Sequence, residues 1–270
     1  MDVPGFAVIT GAASGIGRAC SKAFARDGSA GIALLDLSYE SLLAVKAEIE
    51  EEQKKQGGKC QIEVSMLDVT DEAQVDRIIN QIAQKFGRID YVVNAAGIAF
   101  KHQGGAAYAE TKDWQRVLNV NLNGTFYILR AAAKIMLKQE RILSSIDGRP
   151  LQRGSIVNLA SILGTVAVPT STAYTASKHG VIGLTRTASE DYAKDGLRIN
   201  AVCPGYIGTP MTLNNPSVSQ TLEERVQTFC PMKRLGEPQE IADGVVYLSG
   251  GRSSFVTGTA LVIDGGYTQR

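Results

Sequence analysis

The chain has 270 residues, 44% hydrophobic and 20% charged, and its 28 Lys and Arg against 27 Asp and Glu leave a net charge of +1. That balance excludes the clustered positive charge by which proteins hold nucleic-acid phosphates or an anionic membrane, and the length allows a full core without disulfides or a structural metal. Cys20, Cys60, Cys203 and Cys230 lie far apart, with no pair at the spacing of metal or redox motifs, so reduced thiols and no metal site are expected.

Short apolar runs alternate with longer segments of helical period, the pattern of βαβ units on a parallel sheet. Strands are predicted at Phe6–Thr10, Ile32–Asp36, Gln61–Leu67, Tyr91–Asn94, Ser155–Leu159, Arg198–Cys203 and Leu261–Ile263. Helices are predicted at Gly15–Asp27, Ser38–Gln56, Asp71–Phe86, Thr111–Gln139 with a break near Asn121, Thr172–Lys194 and Glu237–Leu248. Ser38 and Asp71 are good N-caps, and Gly57 and Gly87 good stops. No repeat or linker divides the pattern, so the expected fold is α/β: residues 1–270 as a single doubly wound parallel sheet of about seven strands with helices on both faces. Two irregular segments interrupt it, Arg141–Gly154 and Tyr206–Met232. The second holds Pro210, Pro216 and Pro231 around a polar middle, Asn214-Asn215 and Ser217–Gln220, and reads as a substrate loop that closes as a mobile lid.

The amino terminus, with Asp2 and Pro4 and no basic start, lacks the form of a signal peptide, and a cytoplasmic location is expected. The uncharged stretch from Gly154 to Ser177 could span a bilayer by length, but Asn158, Pro169 and its many Ser and Thr argue against a membrane helix.

Chemistry first appears at Thr10-Gly11-Ala12-Ala13-Ser14-Gly15-Ile16-Gly17, directly after the first strand and opening the first helix. Glycines there let the backbone approach a ligand, while the free N–H groups and dipole of the helix N-terminus attract a pyrophosphate. Asp36 ends the second strand nineteen residues beyond Gly17, where a carboxylate can accept hydrogen bonds from an adenosine ribose and repel a 2′-phosphate. No Arg follows Asp36, and Ser14 stands where a basic residue could grip that phosphate, so NAD is favoured over NADP.

A second constellation lies on the fifth strand and the next helix. Tyr174 and Lys178, four residues apart, share one helix face, and the ammonium is expected to lower the phenol pKa toward a range useful for acid/base work. Ser161, at a carboxyl strand end, can orient a substrate oxygen. His179 points about 100° away from Lys178, and His102 is expected on a surface loop.

The chain is identified by these residues as resembling the short-chain dehydrogenase/reductase family over essentially its whole length. The match runs in order through Thr10–Gly17, Asp36, Asp68-Val69, Asn94-Ala95-Ala96-Gly97, Asn121, Ser161, Tyr174, Lys178, Pro204-Gly205, Thr209 and Asp264-Gly265-Gly266. The resemblance implies a Rossmann fold in which Tyr174 exchanges a proton with the substrate oxygen, Ser161 holds that oxygen, and Lys178 binds the nicotinamide ribose. It implies further that Asn121 anchors a water, Asp68 and Val69 flank adenine, Asn94, Ala95 and Gly97 shape the cofactor floor, and Thr209 contacts the carboxamide. Gly11, Ser14, Gly15, Ile16, Gly17, Leu37, Pro204, Gly205 and Ile207 complete the expected cofactor contacts. Ala95 replaces the family's usual second Asn.

The expected function is therefore an NAD-dependent alcohol dehydrogenase or ketone reductase for a small to medium secondary alcohol or ketone. The alternatives are an NADPH-dependent carbonyl reductase and a catalytically silent nucleotide-binding protein. Pocket walls are expected at Ile98–Gly105, Ile162–Pro169 and Tyr206–Met232, which in sequence show no Arg or Lys cluster, so a neutral, largely apolar substrate is expected. The resemblance implies a homotetramer or homodimer built through Thr111–Gln139 and Thr172–Lys194, with neither nucleic acid nor membrane as partner.

Overall fold

A computed structural model describes residues 3–144, 147–214, 219 and 222–269. Strands β1 (Phe6–Thr10), β2 (Gly31–Asp36), β3 (Gln61–Met66), β4 (Tyr91–Asn94), β5 (Gly154–Leu159), β6 (Leu197–Pro204) and β7 (Ala260–Ile263) form one parallel sheet in the order β3-β2-β1-β4-β5-β6-β7. The helices are α1 (Gly15–Arg26), α2 (Tyr39–Gln56), α3 (Glu72–Phe86), α4 (Thr111–Leu118), α5 (Thr125–Met136), α6 (Thr172–Tyr192), α7 (Pro210–Leu213), α8 (Leu222–Phe229) and α9 (Pro238–Ser249).

Alternation along β1 explains the layers. Ala7 and Ile9 face one side of the sheet, where they pack with Cys20 and Phe24 of α1, Leu42 and Ile49 of α2, and Ile241 and Val245 of α9. Val8 faces the other, against Ile79 of α3 and Ile128 and Ala132 of α5. All six residues of β5 are buried, and its two polar side chains are satisfied within the fold, Ser155 by Leu248 O and Asn158 by Thr185. No described helix is long and apolar enough to cross a membrane.

The predicted strands and helices recur with shifts of one to three residues at their ends. The break expected near Asn121 is a π-helical segment, Asn119–Gly124, between α4 and α5. The segment 206–232 holds two unforeseen helices, α7 and α8. Asn215, Pro216, Ser217, Val218 and Gln220, on which the lid reading partly rested, lie outside the described residues.

The other irregular segment, Arg141–Gly154, folds back on itself through an antiparallel bridge between Leu143 and Pro150 and backbone bonds linking Ile142 with Leu151 and Gln152. Its side chains meet the C-terminal end of α9, whose last carbonyls have no partner within the helix. Gln152 Nε2 donates to Ser249 O, and Arg149 Nη2 donates to Gly251 O. Arg198, 6% exposed on β6, donates to the carbonyls of Leu248, Ser249, Gly250 and Val256 at 2.7–3.2 Å. Burial pushes its guanidinium down to about 10, so it remains a cation at neutral pH, held by carbonyls and the negative end of a helix dipole. Arg198→Met should therefore take one of its donors from each of four carbonyls and destabilise the fold by about 3 kcal/mol, lowering Tm by roughly 5–10 °C in calorimetry. A Tm unchanged within a degree or so would contradict this role.

Candidate active site

The cleft opens where the strand order reverses, at the carboxyl ends of β1 and β4, with β2 leading away on one side and β5 on the other. Two glycines permit the approach of the turn after β1 to the end of β4. Gly11 has φ +66°, and a Cβ there would lie 2.8 Å from Ala96 N; a Cβ on Gly17 would lie 2.1 Å from Gly11 O. Thr10 Oγ1 clamps the far side by accepting from Ala95 N (3.1 Å) and Ala96 N (3.2 Å). The result is a groove of ≈ 330 Å³ along Gly11, Ser14–Gly17, Asp36, Leu37, Asp68 and Val69.

Asp36 reaches back toward the glycine turn. Its Oδ2 accepts from Ala13 N (3.1 Å) and its Oδ1 from Ser38 N (3.3 Å), so the carboxylate is fixed at the groove edge with lone pairs to spare. Among the described residues no Lys or Arg lines this groove, and the nearby Arg18 is engaged with Glu48. Asp68 is likewise fixed, accepting from Thr70 N (2.9 Å) and Thr70 Oγ1 (2.7 Å). A tight glycine turn, the N–H groups opening α1 and a held carboxylate are features suited to a dinucleotide.

A narrow neck lined by Gly97, Ser161, Tyr174, Lys178, Pro204, Gly205, Ile207 and Thr209 joins the groove to a second pocket of ≈ 100 Å³ in front of Ser161 and Tyr174. Ser161 follows β5 and caps a short 3₁₀ turn, its Oγ accepting from Leu163 N (3.1 Å). Tyr174 lies on the first turn of α6, and its phenol is hydrogen-bonded to Ser161. Lys178, one turn on, is 5% exposed, with Nζ 5.6 Å from the Tyr174 ring centroid and donating to Leu159 O at 2.7 Å. A Cβ at Gly97 would lie 3.7 Å from Nζ, so the glycine leaves room beside the ammonium.

Asn121 ties these parts together. Its Oδ1 accepts from Ile98 N (2.8 Å), while Nδ2 donates to Ile98 O (3.0 Å) and to Ser177 Oγ (3.1 Å), which itself donates to Tyr174 O. Both amide hydrogens are committed to protein, so the side chain positions the loop after β4 against α6, and the expected water would be held through an acceptor, the second lone pair of Oδ1 or the main-chain carbonyl. Its π-helical setting places the side chain between the loop after β4 and α6.

The electrostatics correct one expectation. The ammonium was expected to lower the Tyr174 phenol; instead burial raises it, opposed by the hydrogen bond to Ser161. The same desolvation pushes Lys178 down to about 8. The cause is geometric: Nζ is turned to the Leu159 carbonyl, and both groups sit among apolar neighbours. At neutral pH Tyr174 holds its proton and Lys178 remains predominantly an ammonium.

Most expected cofactor residues line the groove or neck, Ile16, Leu37, Ala95 and Pro204 among them, but Asn94 does not. It is buried within the sheet, donating from Nδ2 to Asn158 Oδ1 (2.9 Å), and Asn158 in turn donates to Thr185. This rung joins β4, β5 and α6 behind the cleft, so Asn94 supports the floor without facing it. His102, expected on the surface, is 3% exposed and stands edge-on to Phe100 at 5.2 Å. His179 is exposed, facing away from the site.

The sequence reading missed two further residues. Lys101 and Arg225 both line the pocket in front of Tyr174, which corrects the expectation of walls without clustered cations. They come from segments far apart in the chain, so their convergence has no signature in spacing.

A family model described as enoyl-(acyl carrier protein) reductase matches residues 11–268. The chain is 39% identical over 270 residues to the short-chain dehydrogenase anuF of Penicillium roqueforti, covering 99% of this chain and 97% of that protein. It is 38% identical over 259 residues to the 3-oxoacyl-[acyl-carrier-protein] reductase FabG of Thermotoga maritima, covering 96% of each. The crystal structure of a levodione reductase superimposes with a TM-score of 0.87 at 35% identity, over 98% of both chains. Matches of this length and identity, on a fold and a cleft of this form, mean that the chain belongs to the short-chain dehydrogenase/reductase family of oxidoreductases.

Proposed function

We propose that the protein is an NAD-dependent oxidoreductase that interconverts a secondary alcohol and its ketone, on a small to medium substrate with a largely apolar body. The observation that carries this reading is the placement of the Tyr174 phenol and the Ser161 hydroxyl at one end of a pocket walled by Phe100, Ile162, Leu163, Val168 and Met211, with the nucleotide groove at the other side of the neck. The nicotinamide, when bound, supplies or accepts the hydride.

The chain's own residues do the rest. In the reducing direction the substrate carbonyl oxygen accepts hydrogen bonds from Ser161 and Tyr174, and negative charge growing on that oxygen is met by two donors already in place. Tyr174, kept neutral by burial, passes its proton to the oxygen; in the oxidising direction it takes the proton back. Lys178 keeps its ammonium beside the ring, 5.6 Å from the centroid, and the donors not used on Leu159 O are available to ribose hydroxyls. Gly11, Gly17 and the first N–H groups of α1 would cradle the pyrophosphate, and Asp36 would take the adenosine ribose. The proposal includes association of copies through α4, α5 and α6, where Phe126 is 39% exposed on the outer side.

Tyr174→Phe removes the proton donor while keeping the ring, so turnover should fall by about 10²-fold or more with NADH affinity, read by fluorescence titration, unchanged. Near-normal turnover would reject the assignment. Cofactor choice tests Asp36 separately: wild-type kcat/KM should favour NAD over NADP by about 30- to 1000-fold at matched ionic strength, and Asp36→Ser should erase most of that ratio. A wild-type ratio at or below unity would reject the role of Asp36. Light scattering should give a dimer or tetramer, and a monomer would contradict the proposed association.

A further inference from the structure

The pocket in front of Tyr174 is apolar over most of its wall, yet two cations reach it from different elements. Lys101 comes from the loop after β4 and Arg225 from α8, and both line the cavity that contains Ser161 and Tyr174. Their charges are close enough to interact: burial, reinforced by the neighbouring Arg225, holds the Lys101 amine below its ordinary value. Among the described residues neither is paired with a carboxylate. The stretch from Tyr206 to Leu222 contains no Asp or Glu to neutralise them, and Glu223 and Glu224 are exposed on α8.

Like charges brought together in a partly desolvated pocket repel, so this arrangement opposes folding unless something else favours it. Arg225 is nevertheless braced in place. It hydrogen-bonds the Tyr206 phenol. The Tyr206 ring stands edge-on to Tyr267 at 5.5 Å, and Tyr267 meets Phe229 of the same helix at 6.2 Å. A guanidinium set against the Tyr206 phenol, near a second cation and in the same pocket as a proton donor, has the form of an anion receptor built into a substrate pocket.

We infer that the substrate carries a carboxylate, bound by Arg225 and Lys101 while its carbonyl or carbinol group faces Ser161 and Tyr174. The planar pair of carboxylate oxygens matches the guanidinium fork, and the ammonium adds a point charge beside it. A cavity of ≈ 100 Å³ between the two ends selects a short oxo or hydroxy acid with an apolar body. This inference rests on the redox reading above for the orientation of the carbonyl; the acid site itself stands on the two cations.

The test compares acetoacetate and levulinate with their methyl esters, which keep the ketone and remove the charge. With NADH, kcat/KM for at least one acid should exceed that for its ester by about 10-fold or more, Arg225→Gln and Lys101→Gln should each cut the acid-to-ester ratio several-fold, and Arg225→Lys should retain part of it. Calorimetric titration of the same acids into the NADH-loaded protein should show affinity weakened by about 10-fold in Arg225→Gln. An acid-to-ester ratio at or below unity for both pairs, or variants that lower acid and ester by the same factor, would overturn the inference. If neither acids nor esters are turned over, the redox reading fails for these substrates, and the titration still decides: acid binding equal in wild type and Arg225→Gln overturns the acid site, and binding lost in the variant supports it.

Discussion

The cleft depends on one backbone-to-backbone contact with no room for a side chain. Where the turn after β1 crosses the end of β4, Gly11 meets Ala95 and Ala96, and Gly17 packs its α-carbon against the Gly11 carbonyl. Any Cβ at Gly17 would push α1 away from the turn, and with it the N–H groups suited to a pyrophosphate. Thr10 holds the contact from the opposite side by accepting two backbone N–H groups from the β4 end. Strand order places this contact at the switch point of the sheet, so the same few atoms set both the nucleotide groove and the loop that leads to Ile98 and the pocket.

From that contact a line of buried polar side chains carries order to the chemical end of the cleft. Asn121 fastens the Ile98 backbone to Ser177 on α6, and the rung from Asn94 through Asn158 to Thr185 fastens β4 and β5 to the same helix. Tyr174 and Lys178 are therefore carried on a helix pinned at two levels, facing a serine at the end of a fully buried strand. Fixed donors need little reorganisation when charge develops on a substrate oxygen, which is the main way such a site lowers a barrier. Desolvation sets the protonation states: it keeps the proton on the phenol and weakens, without abolishing, the charge of the lysine.

Much of this was legible in the sequence because it is local. The short apolar run of β1, the glycine spacing before α1, the acid at the end of β2 and the four-residue gap between Tyr174 and Lys178 each encode geometry within a few residues of chain. What was not legible is what the tertiary fold brings together. Asn94 looks like a cofactor contact from its place at a strand end, but its side chain finds Asn158 across the sheet. Lys101 and Arg225 look like ordinary loop charges until α8 packs over the pocket. Arg198 reads as one basic residue in a strand, and only the return of α9 to the sheet gives it four carbonyls to hold. The protonation of Tyr174 was misread for a related reason, since proximity along a helix predicts an attractive charge, whereas burial by distant segments decides the balance.

The central claim, that the cleft moves hydride between a nicotinamide and a carbinol carbon while Tyr174 handles the proton, is tested most directly by following the hydrogen itself. A ketone on which the protein turns over is reduced with NADH carrying deuterium at its transferable position, and again with unlabelled NADH in D₂O. Deuterium on the carbinol carbon in the first experiment, and none on that carbon in the second, is the predicted result. Carbon-bound hydrogen that comes from the solvent would contradict the account.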